Sequence, residues 1–447
     1  MARSTDSTHS TAGGGRCRRC RLTSVLSCAL AATTAAILMA AARVAMDRPV
    51  HGGAHDERTS GHHVDATRRQ QASPAASDGD GDGDRRHVSR QREAVSTTAV
   101  AGLVGGRTRA EWLAPVLAAA EALGAIDVVA VASHSRQVSP SVRKALRRGE
   151  ELRVHESAAK MISAEKQANL RLVIVSLRGK HNVGVLREIL GTSYEGVVLM
   201  ETELAISPQE RVRLLESVRA SKIDVGVEDA WAFQPLELLK QKMVASGKLV
   251  GRVTRVANEG RALCLHGSAM SRAYIGSPVD VSAIEHVKVR EPSAGIKKHR
   301  RARSTDGVQI DVLHPKGGAR TVRVDGTQGS LSGNCLLPPL GASGDGSGQA
   351  ILGNLLTYKS KVQGRASNRP SPIQLTVHLS PGPGDVPRRI VTEEVRGTRY
   401  EWTNEFGDVT NALDQKQYGA LKHVVRAASG RVLYSLAQHM LDMSFCD

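Results

Sequence analysis

The chain has 447 residues, of which 61 are Lys or Arg and 44 are Asp or Glu, so its formal net charge is +17. Its length allows two domains with a packed core, and a composition of 40% hydrophobic and 23% charged residues excludes a fully disordered, collagenous or multi-pass membrane protein. Aromatic residues make up only 3% of the chain, which disfavours an aromatic platform for single-stranded nucleic acid. Because most of the basic excess is spread along the chain, we expect no nucleic-acid partner.

An uncharged run at residues 22–42 follows a basic head at residues 1–21. The run is close to the roughly 20 residues that a helix needs to cross a bilayer, and the arginines before it hold the N-terminus in the cytosol by the positive-inside rule. We therefore predict a transmembrane signal-anchor at residues 22–46 and a single-pass membrane protein of the secretory pathway with a lumenal body. One alternative is a cleaved signal peptide that ends near residues 40–42, and another is an organelle transit peptide, because the head is rich in Arg, Ser and Thr and poor in acidic residues.

Residues 47–95 are dominated by Gly, Ser, His, Asp and Arg and show no apolar periodicity. Within them, residues 78–84 alternate Asp and Gly. Such a segment buries too little apolar area to offset the entropy lost on ordering. We therefore predict a disordered stem between the membrane segment and the folded body.

The cysteines do not predict a disulfide framework, since a disulfide-stapled small domain shows dense and regular spacing. Three of the six lie in the head and three are far apart in the body: Cys17, Cys20, Cys28, Cys264, Cys335 and Cys446. Cys17 and Cys20 lie close to the hydrophobic run, where reversible palmitoylation is the better functional interpretation.

Beyond residue 96 the sequence alternates short apolar runs with helical stretches. Strands are predicted at residues 98–104, 126–132, 172–176, 196–200 and 223–227, and helices at residues 107–123, 139–148, 183–190 and 208–220. Ser207, Pro208 and Glu210 match the pattern of a capping box at the last of these helices. The alternation predicts an α/β fold with a doubly wound parallel sheet over residues 96–230.

The first strand-to-helix turn is the place where such a sheet binds a dinucleotide. Glycines in that turn let the backbone approach a phosphate at the helix N-terminus, although the spacing departs from G-x-G-x-x-G. The candidate cofactor ligands of this turn are Gly102, Gly105, Gly106 and Arg107. The second strand ends at Ser133 and Arg136 instead of an acid, which favours NADP over NAD because hydroxyls and a cation suit a 2′-phosphate.

Several segments, taken in order, resemble the glucose–fructose oxidoreductase / inositol dehydrogenase (Gfo/Idh/MocA) family. Residues 198–207 stand where that family carries a Glu-Lys-Pro-Leu-Ala motif, and residues 324–331 are similar to its glycine-rich hairpin. The other similar segments are residues 102–112, 175–181, 231–240 and 246–253. The resemblance covers residues 95–331 and rests on the order and spacing of the segments together.

The resemblance implies a Rossmann-type domain followed by an α+β domain with a large, mostly antiparallel sheet at residues 231–447. In that family the second sheet carries the substrate site and the oligomer interface, so a homo-oligomer is expected. Alternating runs at residues 308–312, 321–324 and 373–377 agree with strands of this sheet. The basic segment at residues 297–303 is interpreted as a solvated loop.

The family moves a hydride between nicotinamide and a sugar or polyol carbon, and a lysine and an Asp-x-x-x-His motif handle the proton. Here the lysine position is Thr202, and the aspartate and histidine positions are Leu265 and Ala269. His266 is adjacent to the second motif, and His181 is a candidate for contact with the nicotinamide ribose or the substrate. Two further candidates for cofactor binding are Ser176 and Glu201.

Two functions therefore stay open. The first is an NAD(P)-dependent oxidoreductase acting on a sugar, polyol or sugar nucleotide, which the fold resemblance favours. The second is a catalytically inactive relative that binds a nucleotide or a glycan, which the missing lysine and histidine favour. A membrane-anchored glycosyltransferase has only the head, anchor and stem layout in its favour. No metal site is predicted in the body, because the known metalloprotease and P-loop motifs are absent from the sequence.

Overall fold

A computed structural model describes residues 98–204, 206–260, 264–275, 279–285, 296–315, 321–340, 347–361 and 369–446. The predicted head, signal-anchor, stem and palmitoylation sites lie outside these residues.

Six parallel strands form the first sheet. They are β1 (Ala99–Val104), β2 (Ile126–Ala132), β3 (Arg153–His155), β4 (Leu172–Val175), β5 (Val197–Glu201) and β6 (Asp224–Glu228). Their order is β3-β2-β1-β4-β5-β6, the strand order of a Rossmann-type fold. This confirms the predicted doubly wound sheet. Only β3 was not predicted, because it is three residues long and mostly outside the apolar core.

Nine α-helices lie within the described residues. They are α1 (Thr108–Ala122), α2 (Pro140–Ala145), α3 (Ala158–Ala164), α4 (Gly179–Leu190), α5 (Pro208–Ala220), α6 (Pro235–Ala245), α7 (Cys264–Ile275), α8 (Gln415–Ala428) and α9 (Leu436–Cys446). The capping box of α5 is confirmed: Ser207 Oγ accepts a hydrogen bond from the Glu210 amide, and Glu210 accepts one from the Ser207 amide.

Helices cover both faces of the parallel sheet, which explains why its strands are continuous apolar runs. Alternate side chains of one strand pack on opposite faces of the sheet, in two separate apolar clusters. Leu172 and Ile174 pack in one apolar cluster with Leu117 of α1, whereas Val173 and Val175 pack in the other. The parallel sheet is therefore packed on both faces, and this packing fixes where its carboxyl edge lies.

The second sheet has ten strands in the order β16-β15-β14-β13-β12-β11-β7-β10-β9-β8. Only β7 and β10 run parallel among its paired neighbours, so the described sheet is mostly antiparallel, as expected. Its strands are β7 (Val253–Glu259), β8 (Val279–Glu285), β9 (Ile296–Ser304), β10 (Gln309–Pro315), β11 (Thr321–Gly326), β12 (Gly329–Asn334), β13 (Gln349–Ser360), β14 (Ser371–His378), β15 (Arg389–Thr392) and β16 (Glu401–Thr403).

The basic segment at residues 297–303 is not a loop. It belongs to β9, which pairs with β10, so the loop interpretation was wrong. Ala302 is fully buried in a small apolar cluster with Ile310. Arg301 lies on the other face, where its Nε is 2.8 Å from an oxygen of the buried Asp311. A basic segment therefore forms a strand here, because one face is buried at Ala302 and the arginine on the other face is paired with Asp311.

A disulfide joins Cys264, at the start of α7, to Cys446, at the end of α9. The two residues are 182 positions apart in the chain, which is why the sequence did not predict the pair. Helices α7 and α9 also pack directly against each other. The C-terminal helix is thus tied to the helix that carries His266.

The prediction of a single-pass membrane protein has to be corrected. Within the described ranges, none of the helices combines the length and the apolar character that a bilayer crossing requires. The run at residues 22–42, on which the prediction depended, lies outside those ranges.

Candidate functional site

The candidate site lies at the carboxyl edge of the parallel sheet, where the loops after β1, β2, β4, β5 and β6 meet. In the turn after β1, Gly105 has φ +112°, and a Cβ on it would clash with the Ser176 carbonyl oxygen. A Cβ on Gly106 would lie 2.5 Å from the Gln137 carbonyl oxygen. These two glycines let the first turn pack against the loops after β4 and β2.

Gly102 has a different surrounding, since it lies inside β1 rather than in the turn. A Cβ on it would lie 2.9 Å from Met161 Sδ. The contact is with the core side of α3, so the structure gives Gly102 a packing role.

The N-terminus of α1 suits an anion such as a diphosphate. No side chain in the described ranges caps this helix at Arg107, whereas Ser207 and Asp414 cap α5 and α8 with capping boxes. The first amides of α1 are therefore left without a side-chain acceptor, and the helix dipole adds positive potential there. The Arg107 guanidinium lies beside this turn and hydrogen-bonds the side-chain oxygen of Gln137.

The end of β2 carries the residues that were predicted to favour a 2′-phosphate. Ser133 is buried, and its Oγ is 3.4 Å from Ser135 Oγ. Arg136 is exposed, and its guanidinium is 2.5 Å from a carboxylate oxygen of Glu156. The loop after β3 thus brings an acid next to Arg136 that the sequence did not predict.

Two buried glutamates lie side by side at the ends of β5 and β6. Glu201 and Glu228 are register partners, and Arg109 of α1 is 2.6 Å from one Glu201 oxygen. Burial raises the pKa of Glu201 to about 7, although Arg109 acts in the opposite direction. The pKa of Glu228 also lies well above its ordinary value, because burial and the charges of Glu201 and Asp229 disfavour ionisation.

Asp229 and His266 form a hydrogen-bonded pair next to these glutamates. The Asp229 carboxylate is 2.9 Å from His266 Nδ1 and also accepts a hydrogen bond from the Trp231 amide. Burial alone would raise the pKa of Asp229, but His266 and the Trp231 amide outweigh it and lower this pKa. Because an ionised carboxylate only accepts hydrogen bonds, the His266 nitrogen that faces it, Nδ1, is the donor of this pair.

The structure brings Thr202 and His266 to the same edge. Thr202 directly follows Glu201, and Asp229 directly follows its register partner Glu228, so Thr202 and Asp229 continue from paired strand ends. Thr202 is half-buried, and the peptide bond between it and Glu203 is cis.

Leu265 and Ala269 are buried apolar residues of α7, so neither supplies acid–base chemistry. His266 lies one helical turn before Ala269 and hence on the same side of the helix. His181 is exposed in the first turn of α4. Its neighbour Asn182 donates a hydrogen bond to the Glu201 carbonyl oxygen at 2.9 Å and ties α4 to β5.

Sequence reasoning missed Arg109, Asn182, Glu228 and Asp229. Two acids directly after a predicted buried strand were the available signal for the last two, since strand ends meet at one edge of a parallel sheet. No sequence signal links Arg109 to Glu201, because only the folded arrangement of α1 and β5 brings them together.

The ionisation of Glu201 predicts a pH-dependent stability. Its pKa is about 7 in the folded chain, against an ordinary 4.5, so between these values the folded state holds a proton that the unfolded state has lost. The contribution of Glu201 to the free energy of unfolding is therefore fully present below pH 4.5. This contribution falls by about 3 kcal/mol as the pH rises past 7. Glu201→Gln should lose this component, as measured by denaturant unfolding at about pH 5 and about pH 8.

The control for that measurement is Glu203→Gln, since Glu203 is an exposed carboxylate on the same loop. This variant should keep the pH dependence of the wild type. A Glu201→Gln variant with the wild-type pH dependence would show that Glu201 ionises normally.

An open cleft in another part of the described chain does not coincide with this site. It has a volume of about 3400 Å³ and includes Thr98, Arg171 and Asp224 in its lining. These residues precede β1, β4 and β6 or begin them, so the cleft lies at the amino edge of the parallel sheet. The cluster of ionisable groups at the carboxyl edge, rather than the size of a cavity, defines the candidate site.

Comparison with known proteins gives structural neighbours only. No family model matches the chain, and no curated protein matches it. An inositol dehydrogenase homologue from Azotobacter vinelandii, complexed with NADH and myo-inositol, is 14% identical with a TM-score of 0.49, covering 79% of this chain and 94% of that chain.

Two other solved structures are similar at the same level. An oxidoreductase from Sinorhizobium meliloti is 15% identical with a TM-score of 0.49, covering 79% of this chain and 96% of that chain. KijD10, a 3-ketoreductase from Actinomadura kijaniata in complex with TDP-benzene and NADP, is 13% identical with a TM-score of 0.45, covering 78% and 95% respectively. These likenesses do not assign the chain to a family.

Proposed function

We propose that the protein is an NAD(P)-dependent oxidoreductase of the Gfo/Idh/MocA type. Its substrate class is a sugar, polyol or sugar nucleotide with a secondary hydroxyl. The observation that supports the proposal is the 2.9 Å distance between the Asp229 carboxylate and His266 Nδ1, together with the register that makes Thr202 and Asp229 continue from paired strand ends. The Asp229–His266 pair would take the proton-transfer role for which the family uses a lysine.

The cofactor side of the proposal uses the loops after β1, β2 and β4. The first amides of α1 and the Arg107 side chain would hold the diphosphate, and Ser133 and Arg136 would face the adenosine ribose. Ser176 would border the nicotinamide half, since it follows β4 beside Gly105. When bound, the nicotinamide supplies the hydride acceptor in oxidation and the hydride donor in reduction.

The substrate side of the proposal uses the acid–base pair. In oxidation, His266 Nε2 accepts the proton of the substrate hydroxyl, while the hydride leaves the same carbon and a carbonyl forms. Asp229 then stabilises the imidazolium through the Nδ1 hydrogen bond, which has a length of 2.9 Å. In reduction the imidazolium returns this proton to the carbonyl oxygen. Thr202 and His181 would contact the substrate or the nicotinamide ribose without transferring the proton.

Each of the two sheets would bind one of the two reactants. Residues 96–230 would bind the cofactor, and residues 231–447 would bind the substrate and supply His266 from α7. A homo-oligomer through the large sheet stays a prediction.

An inactive binding protein is the second candidate. The apolar residues Leu265 and Ala269 and the hydroxyl of Thr202 favour it, because none of them transfers a proton as the family's motif does. This candidate keeps cofactor binding but lacks turnover.

Cofactor binding tests the proposal. Adding NADPH or NADH to the purified chain should raise its melting temperature in proportion to ln(1 + [L]/Kd). No shift with either nucleotide would contradict the proposed function. A shift without turnover on a panel of sugars, polyols and sugar nucleotides would favour the inactive binding protein.

The preference for NADP is tested at Arg136. Arg136→Ala should weaken NADPH binding by roughly tenfold and NADH binding much less, because a lost charge-assisted contact to phosphate is worth about 1.5 kcal/mol. Titration of both nucleotides checks this. Glu156→Gln is the matched control: it frees Arg136 from its acid partner and should strengthen NADPH binding. Equal effects of Arg136→Ala on both nucleotides would remove the case for NADP.

A further inference from the structure

The Arg109–Glu201 ion pair bridges α1 and the end of β5, between the proposed diphosphate position and the proposed reaction centre. Arg109 is the second residue of α1, and its guanidinium is 2.6 Å from Glu201. The two partners differ in exposure: half of the Arg109 side chain is accessible to solvent, against a tenth of the Glu201 side chain. Arg109 is therefore able to move away, whereas Glu201 stays buried.

We propose that Arg109 is a ligand of the cofactor diphosphate, and that its transfer from Glu201 to the diphosphate makes Glu201 take up one proton from solvent. The inference rests on the proposed function and adds to it a coupling between cofactor binding and the charge of the site.

The first step is the transfer of Arg109. A diphosphate at the N-terminus of α1 lies next to the first helical turn, which contains Arg109. It carries more negative charge than a single carboxylate and offers acceptor oxygens for bidentate contact with a guanidinium. The exposed half of the Arg109 side chain gives it the freedom to reach such a ligand without disturbing the core.

The second step is the change at Glu201. The titratable groups next to it are Arg109 from α1 and its register partner Glu228 at the end of β6, and Glu228 in turn interacts with Asp229. Asn182 of α4 donates a hydrogen bond to the backbone oxygen of Glu201 and not to its carboxylate. Within the described ranges, Oε2 of the Glu201 carboxylate has no hydrogen-bond partner. Arg109 is the cation that offsets the burial of Glu201, so once Arg109 has moved the buried carboxyl is stable only when protonated.

The consequence is a lower negative charge beside the nicotinamide position after cofactor binding. Glu201 and Glu228 would then both be neutral, while Asp229 stays ionised and paired with His266. Of the three carboxyls at the paired ends of β5 and β6, Asp229 would then be the one that stays ionised. Cofactor binding would thereby prepare the proton acceptor for the substrate.

Isothermal titration of the full chain with NADPH measures this coupling. The binding enthalpy is compared in buffers of different ionisation enthalpy, at about one pH unit above the Glu201 pKa of about 7, where the free protein holds Glu201 mostly ionised. The slope is expected to give an uptake of about 0.5–1 proton per NADPH bound. Uptake should fade at about pH 5, where Glu201 is already protonated.

Three variants separate this coupling from other sources of protons. Glu201→Gln should bind NADPH with no uptake, and Arg109→Met should bind it at least about tenfold more weakly, also without uptake. Glu203→Gln, which alters an exposed carboxylate on the same loop, should keep the wild-type uptake. Binding by the wild type with no uptake, or unchanged uptake in Glu201→Gln, would overturn this inference alone. A complete lack of binding with both NADPH and NADH would overturn the proposed function and this inference with it.

Discussion

Replacing His266 by Ala is expected to lower kcat/KM by about 10²- to 10⁴-fold, which is the range for loss of a general acid–base. The loss should fall mainly on kcat and leave NADPH affinity nearly unchanged, because His266 belongs to α7 and not to the turn after β1. Steady-state kinetics with the best substrate of the panel, together with NADPH titration, check this result.

Asp229→Asn changes the other residue of the Asp229–His266 pair and tests the same role. An amide donates to His266 Nδ1 as readily as it accepts, so the variant favours the tautomer with its proton on Nε2. We expect a large loss in kcat with a folded protein, and a change in the pH profile of kcat that a merely structural residue would not produce.

His378→Ala is the matched control, since His378 lines the cleft at the opposite edge of the parallel sheet. It should leave kcat/KM unchanged. Wild-type activity in His266→Ala would show that another group moves the proton.

Replacing Asp442 by Ala is expected to destabilise the fold by about 3–5 kcal/mol. Its buried carboxylate accepts hydrogen bonds from Ser268, Arg272 and Tyr434, at 2.6 Å from the Ser268 and Tyr434 hydroxyls and at 2.5 and 2.9 Å from the guanidinium. Without Asp442 the guanidinium of Arg272, which is only 9% exposed, loses its partner, and an uncompensated buried charge costs about that much. Denaturant unfolding of the full chain measures the change.

Glu401→Ala supplies the comparison for that measurement. Glu401 and Arg389 are 2.6 Å apart, but both side chains are exposed, and exposed pairs contribute about 1 kcal/mol or less. A loss for Asp442→Ala no larger than that for Glu401→Ala would contradict the account of α9 as part of the buried core.

The parallel sheet was predictable because its signals are local. Strand β2 was predicted at the residues it occupies, and Ser207 with Glu210 marked the start of α5 correctly. A buried strand and a capped helix each leave a pattern within a few neighbouring residues, since apolar runs and capping pairs act over one turn or one strand.

The basic strand β9 was not predictable in the same way. Its residues look solvated in isolation, and only the buried Asp311 on β10 satisfies Arg301. Arg255 of β7 also binds this carboxylate, at 2.5 Å. A strand stabilised by cross-strand ion pairs shows no apolar alternation along its own sequence.

The site was predictable only in part for the same reason. The edge of the sheet and His266 were indicated, but the partner of His266 is 37 positions away, and the partner of Arg109 lies at the end of β5. These pairs arise from the packing of α7 and α1 against strand ends. Alignment of single residues to the family motif therefore indicated no proton-transfer residue, although the fold brings His266 within hydrogen-bond distance of Asp229.

Hydride transfer is the most direct test of the account. The absorbance of reduced nicotinamide is followed with the purified chain, both cofactors and a panel of sugars, polyols and sugar nucleotides in both directions. The account predicts turnover on at least one member of the panel and its loss in His266→Ala. Cofactor binding with no turnover on any member, or turnover unaffected in His266→Ala, would contradict the role given to the Asp229–His266 pair.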